Sequence, residues 1–208
     1  MKEGKEPYHY QGDFSRIVPS MYNEQPRIYK ARKTTAVILD YLGTRHRYPK
    51  DLDLLDIGCS SGYMTSHYGR HFKTVVGVDI DKEALEHAIR NNQADNVTFR
   101  FGDAMVIDSP SGSFDAVTCS HIYEHVPDTR RMMREIHRVL KDDGFCYFVA
   151  GNRLNFMEPH YRLPLLSIVP KSIAHRYIRL VGKADSYYET HLTLWGLRRL
   201  VRDFEVVD

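Results

Sequence analysis

The densest group of chemistry-bearing residues is the run Asp56-Ile57-Gly58-Cys59-Ser60-Ser61-Gly62, which follows the apolar pair Leu54-Leu55. Glycines at 58 and 62 allow a tight turn and let a ligand approach the backbone, because no Cβ intervenes. A second carboxylate, Asp79, closes the next apolar run roughly 20 residues further on, the spacing at which an acidic side chain can accept hydrogen bonds from both hydroxyls of a ribose. Asp81 is the better cap for the helix that follows, which leaves Asp79 for that role. A nucleoside-like ligand is therefore expected at the end of the first strand. A dinucleotide loop needs a small residue at its third glycine position, and the bulky Tyr63 stands there. The sequence also lacks the GxxxxGK[ST] pattern of a phosphate loop.

Other residue types are informative by their spacing. His121 and His125 follow the fourth apolar run, and imidazole titrates near neutrality, so both are candidates for proton transfer. His160, His175 and His191 recur at separations that match no metal-ligand pattern, and no HExxH occurs, so no metal site is expected. Cys59, Cys119 and Cys146 form no CxxC pair and fall in or beside expected strands, which reads as small buried thiols in a reducing compartment.

The elements that must position these residues alternate. Apolar runs at 52–57, 75–79, 97–101, 114–119 and 145–149 read as strands covered on both faces. Between them lie helical periods. One follows Asp81, with Ala84, Leu85, Ala88 and Ile89 on one face; another runs from about Asp128 to a stop at Gly144, with Met132, Met133, Ile136, Val139 and Leu140 together. Ahead of them a helix enters at Pro26 and ends at Gly43. Alternation of this kind gives an α/β fold, an open, doubly wound and mainly parallel sheet. Residues 1–24 read as an irregular arm. Residues 151–193, punctuated by Pro159, Pro164 and Pro170, are too long for a simple connection and read as a cap inserted between strands 5 and 6. A helix from Leu194 to Arg202 and a sixth strand at 204–207 close the chain, leaving the terminal hairpin of the sheet incomplete.

Size and charge bound the remainder. At 208 residues the chain suits a single domain with a core of its own. A net charge of +2 gives no argument for nucleic acid or for membranes. The charged N-terminus lacks an apolar signal region and no run spans a bilayer, so a cytoplasmic protein is expected.

Five ordered segments, LLDIGCSSGYMT, VVGVDID, FGDA, FDAVTCSHIYEHVPD and EIHRVLKDDG, resemble the successive motifs of the class I S-adenosylmethionine (SAM)-dependent methyltransferases over roughly residues 28–150. The resemblance implies that Asp56, Gly58, Cys59, Ser60 and Gly62 shape the loop around the methionine part. It further implies that Asp79 holds the ribose and Ile80 packs on the adenine. Asp103 and Ala104 would lie at the adenine edge, with Ser120 and His121 at the methyl end. Ser60 in place of the commoner glycine, and Asp142-Asp143-Gly144 in place of Pro-Gly-Gly, are the two departures.

The implied reaction is methyl transfer from SAM, leaving S-adenosylhomocysteine. A general base is needed only where the acceptor must lose a proton. His121 and His125 are the candidates, although the EHV turn of such proteins also anchors the following helix. The cap carries Tyr161, Arg162, Arg176, Tyr177, Arg179, Tyr187 and Tyr188, which could bind an anionic or sugar-bearing acceptor. Its apolar stretch, Leu163 to Val169, could instead touch a membrane surface. A small-molecule acceptor, glycan- or lipid-related, is expected, with no nucleic acid. Oligomeric state is left open. Two alternatives stand: a SAM-binding module without catalysis, and an NAD-dependent oxidoreductase, which Tyr63 disfavours.

Overall fold

A computed structural model describes residues 11–207; residues 1–10 of the expected arm, and Asp208, lie outside them. The described part of the arm is more ordered than expected. Helix α1 (Phe14–Ile17) and a 3-10 turn at Pro19–Tyr22 lead into α2 (Glu24–Thr44). The chain then alternates: β1 (Asp53–Ile57), α3 (Tyr63–Tyr68), β2 (Thr74–Asp79), α4 (Lys82–Asn91), β3 (Val97–Phe101), β4 (Phe114–Ser120), α5 (Thr129–Val139) and β5 (Leu140–Val149). A two-stranded antiparallel hairpin, β6 (Met157–Glu158) and β7 (Leu163–Pro164), precedes α6 (Lys171–Leu180) and α7 (Leu194–Leu200).

The main sheet has the order β3-β2-β1-β4-β5, and every neighbouring pair is parallel. Strand order reverses between β1 and β4, so the connections leaving their carboxyl ends diverge and open a crevice there. Both faces of the inner strands β1, β2 and β4 are covered, which explains their apolar text, whereas β3 and β5, at the sheet edges, are more open than expected. Leu55, Ile57, Val117 and Cys119 pack with Met132 and Ile136 of α5, whereas Leu54, Val75 and Ala116 pack with Ala31, Ile38 and Leu42 of α2. The Asp81 and Asp128 carboxylates accept from the backbone N–H of Ala84 and Arg131, and so start α4 and α5.

Two expectations are corrected. Helix α5 does not run to Gly144 but ends at Val139, and Leu140 already pairs with Phe114. The register then slips between Phe114 and Ala116, so residues 141–144 bulge out of the strand. Asp115 explains the bulge: it collects Lys141 at 2.8 Å and Arg47 at 3.1 Å, holding Lys141 toward the sheet end. The sixth strand at 204–207 is not formed. Phe204 turns into the core beside the His137 ring, while Glu205, Val206 and Val207 are exposed, so the sheet has five strands among the described residues. The 151–193 segment thus follows β5 rather than lying between two strands of the sheet.

That segment builds a small core of its own from Leu163, Leu166, Ala174, Ile178 and Tyr187. Leu163 and Leu166 therefore face inward and Leu165 faces out. No helix among the described residues is long and apolar enough to cross a membrane.

Candidate functional site

The loop after β1 is fixed from behind. The backbone N–H groups of Gly58 and Cys59 both donate to the Val78 carbonyl of β2, and Gly58, Ser60 and Gly62 adopt φ of 75°, 48° and 79°. Gly62 N-caps α3, and a Cβ there would stand 2.6 Å from the Ala88 methyl and 2.8 Å from the Phe99 ring. Only glycine fits both the left-handed backbone and that contact. Asp56 is buried and ties three elements together, its oxygens accepting from the Thr65 and Thr118 hydroxyls at 2.6 Å each. Burial pushes its carboxyl up to about 6 in spite of those two donors.

Asp79 sits where β2 meets the loop. Its Oδ2 accepts from the Ser60 N–H at 2.7 Å and its Oδ1 from the Asp81 N–H at 2.8 Å, so both oxygens are oriented. Burial raises its carboxyl above the ordinary range, against the pull of those backbone donors. Asp103 accepts from the Met105 N–H at 2.8 Å.

These residues surround one cavity of about 460 Å³. Asp56, Gly58, Cys59, Ser60, Asp79, Ile80, Asp103, Ala104, Ser120 and His121 all line it. Gly62 does not, and instead sits behind the loop against α4 and β3. Cys59 and Cys119 are buried free thiols as expected, whereas Cys146 is only partly buried, and desolvation pushes its thiol up to about 12.

The N-terminal segment was missed as part of the site. Phe14, Val18, Ser20 and Met21 line the cavity together with Arg27 and Lys30 of α2. The Ser15 N–H donates to Asp81 at 2.7 Å and the Ser61 hydroxyl donates to the Met21 carbonyl at 2.6 Å, so this segment is stitched to both rims. Weak periodicity hid it from the sequence reading.

His121 takes a left-handed φ of 58° and remains 45% exposed, its Nδ1 standing 3.4 Å from Glu124. His125 is half-buried, its Nδ1 is 2.8 Å from the Gln11 side-chain oxygen, and burial pushes its ring down to about 4. Its ring meets Phe14 and His160 at centroid distances of 4.7 and 5.0 Å. The 151–193 segment is docked onto the same turn. The Thr190 N–H donates to the Glu124 carbonyl at 2.8 Å and the Leu192 N–H to the Tyr123 hydroxyl at 3.1 Å. Docking brings Glu158, His160, Glu189 and His191 against Glu124 and His125. No spacing rule could have found this group, because its members come from three separate stretches of chain. His175 stays apart and accepts from the Tyr187 N–H at 3.1 Å. Of the cap's basic and aromatic residues, Arg162 lines the cavity, whereas Tyr187 belongs to the cap's own core.

The site fits a nucleoside with an amino-acid tail. A Cβ at Gly58 would collide with the Ile122 side chain, so the loop packs closely on the turn that follows β4, and Asp79 offers oriented acceptors beside it. Residues 55–148 match the sequence model of a family described as a methyltransferase domain. A ubiquinone biosynthesis O-methyltransferase from Coxiella burnetii is 26% identical over 199 residues, covering 90% of this chain and 80% of the relative. Among solved structures, YcgJ from Bacillus subtilis superposes with a TM-score of 0.59 at 21% identity, covering 83% of this chain and 67% of that one. A chain solved in complex with the Trm112 methyltransferase activator of Haloferax volcanii gives 0.62 at 18% identity, covering 94% of this chain and 76% of that one.

Proposed function

We propose that this chain, a class I SAM-dependent methyltransferase, places the methyl group on an oxygen of a small-molecule acceptor held between the cofactor loop and the 151–193 segment. The observation that carries this reading is the continuity of one cavity from Asp79 and the glycine loop to His121, His125, Pro159, His160 and Arg162. The O-methyltransferase name of the Coxiella relative supports an oxygen acceptor. Exposed Leu154, Phe156 and Leu165 on the cap suit a lipid-related acceptor better than a glycan.

Bound SAM supplies a methyl group on a sulfonium, activated for in-line displacement with the bond electrons returning to sulfur. The protein's part is positioning and exclusion of water. Asp56, through Thr65 and Thr118, holds β1, α3 and β4 in register beneath the loop. Asp79 accepts from the ribose hydroxyls, and Arg27 and Lys30 offer positive charge to a carboxylate in the cavity. His121, exposed at the cavity wall beside Glu124, takes the hydroxyl proton of the acceptor.

Calorimetry with SAM and release of S-adenosylhomocysteine in the presence of lipid and glycan extracts test this. Asp79→Ala should weaken SAM binding by ~1–3 kcal/mol, since it strips partners from both ribose and loop. Unchanged affinity would remove the ribose role. SAM binding without product on any small-molecule fraction would favour the non-catalytic module instead.

A further inference from the structure

The contact between the cap and the turn after β4 gathers three carboxylates and three imidazoles. Glu124, Glu158 and Glu189 are 2%, 0% and 1% exposed and His191 is 7% exposed. Ligand atoms of Glu124, His125 and His160 all lie within 4.8 Å of one another, as do those of Glu158, His160 and His191, so His160 joins the two sets. Glu158 has ordinary partners, accepting from the Tyr161 N–H and lying 2.7 Å from His160 Nδ1. The others do not. Both oxygens of Glu124, Oε2 of Glu189 and both ring nitrogens of His191 lack a hydrogen-bond partner among the described residues. The nearest approaches are His121 to Glu124 at 3.4 Å, His191 Nε2 to Glu158 at 3.5 Å and His125 to Glu189 at 4.0 Å. Lys171 spends its ammonium on the carbonyls of Tyr187, Tyr188 and Glu189.

Burying three carboxylates together with several of their oxygens unpaired is costly, and a cation is the ordinary remedy. Ligands around one ion at about 2.0–2.1 Å stand roughly 3.3 Å apart in a tetrahedron and about 4.2 Å apart across an octahedron, inside the observed spread. We propose that Glu158, His160 and His191 hold one divalent transition-metal ion at the acceptor end of the cavity, with Glu124 and His125 adjoining them through His160. The mixed imidazole and carboxylate donors, with no thiolate, select borderline ions such as Zn²⁺, Mn²⁺ or Co²⁺ over Ca²⁺. His125 and His160 line the cavity, so an oxygen of the acceptor can complete the coordination. This goes beyond the acceptor reading and stands independently of it.

The test uses the full chain, stripped with a chelator, dialysed, and titrated with Zn²⁺, Mn²⁺, Co²⁺ and Ca²⁺. Metal content by emission spectroscopy should reach one equivalent of a transition ion per chain, with a rise in the unfolding midpoint that Ca²⁺ does not give. Bound Co²⁺ should show visible absorption without thiolate charge-transfer bands. His160→Gln and the double variant Glu158→Gln/His191→Gln should bind at least tenfold more weakly, with circular dichroism and SAM calorimetry confirming the fold. His175→Gln, in the cap but outside the cluster, should bind as the parent does. Sub-stoichiometric metal, thiolate bands, or equal binding by the double variant overturns the proposal. SAM binding by the stripped chain reports separately on the cofactor reading.

Discussion

Asp56 shows how one residue can serve architecture at an electrostatic cost. Its carboxyl is held at about 6, above the ordinary 3.8, chiefly because it is buried. A group raised in the folded state favours folding while protonated. Its contribution is complete below about 4 and is lost as pH rises through about 6, leaving a penalty on the order of 3 kcal/mol at neutral pH. Asp56→Asn should therefore flatten the decline in stability between pH 4 and pH 7, which denaturant midpoints across that range would show. Parallel profiles for parent and variant would mean the carboxyl titrates normally. The sequence marked Asp56 as part of the loop. It could not show that both oxygens turn toward Thr65 and Thr118, since hydroxyls so far apart in the chain meet only after β1 and β4 pair.

At the scale of elements, the loop-to-helix step from β1 to α3 rests on Gly62. Its φ of 79° and the closeness of Ala88 and Phe99 leave no place for a methyl group. Gly62→Ala should lose at least ~2 kcal/mol from backbone strain and overpacking, lowering the thermal midpoint by roughly 4–8 °C. Gly112, also at positive φ but with nothing within 4 Å of an added Cβ, is the control. Gly112→Ala should fall by visibly less, and equal losses would assign the whole effect to backbone conformation. The inner strands β1, β2 and β4 were legible because burial on both faces leaves apolar runs, and the edge strands β3 and β5 by their place in the alternation with helices. The end of α5 was not, because Leu140 continues the helical period while its backbone joins β5. The strand expected at 204–207 had the right residue types, but Phe204 found the core and the residues after it found no strand to pair with.

At the scale of the molecule, the parallel sheet supplies the cofactor side and the 151–193 segment closes the other. Its polar inner surface was illegible because Glu158, His160, Glu189 and His191 acquire meaning only when they meet Glu124 and His125. The segment Phe14–Tyr22 completes the enclosure, tied at Ser15 to Asp81 and at Ser61 to Met21. Ser61→Ala removes one of those ties and should speed the dissociation of S-adenosylhomocysteine about fivefold, the equivalent of one hydrogen bond near 1 kcal/mol, in a stopped-flow displacement assay. An unchanged off-rate would show that the segment does not hold the product. The stitch also bears on timing. Residues 14–22 line the cavity and are tied to both of its rims, so a product leaving past them would have to break both ties first, and turnover limited by that step would be the same for fast and slow acceptors in a comparison of their kcat values.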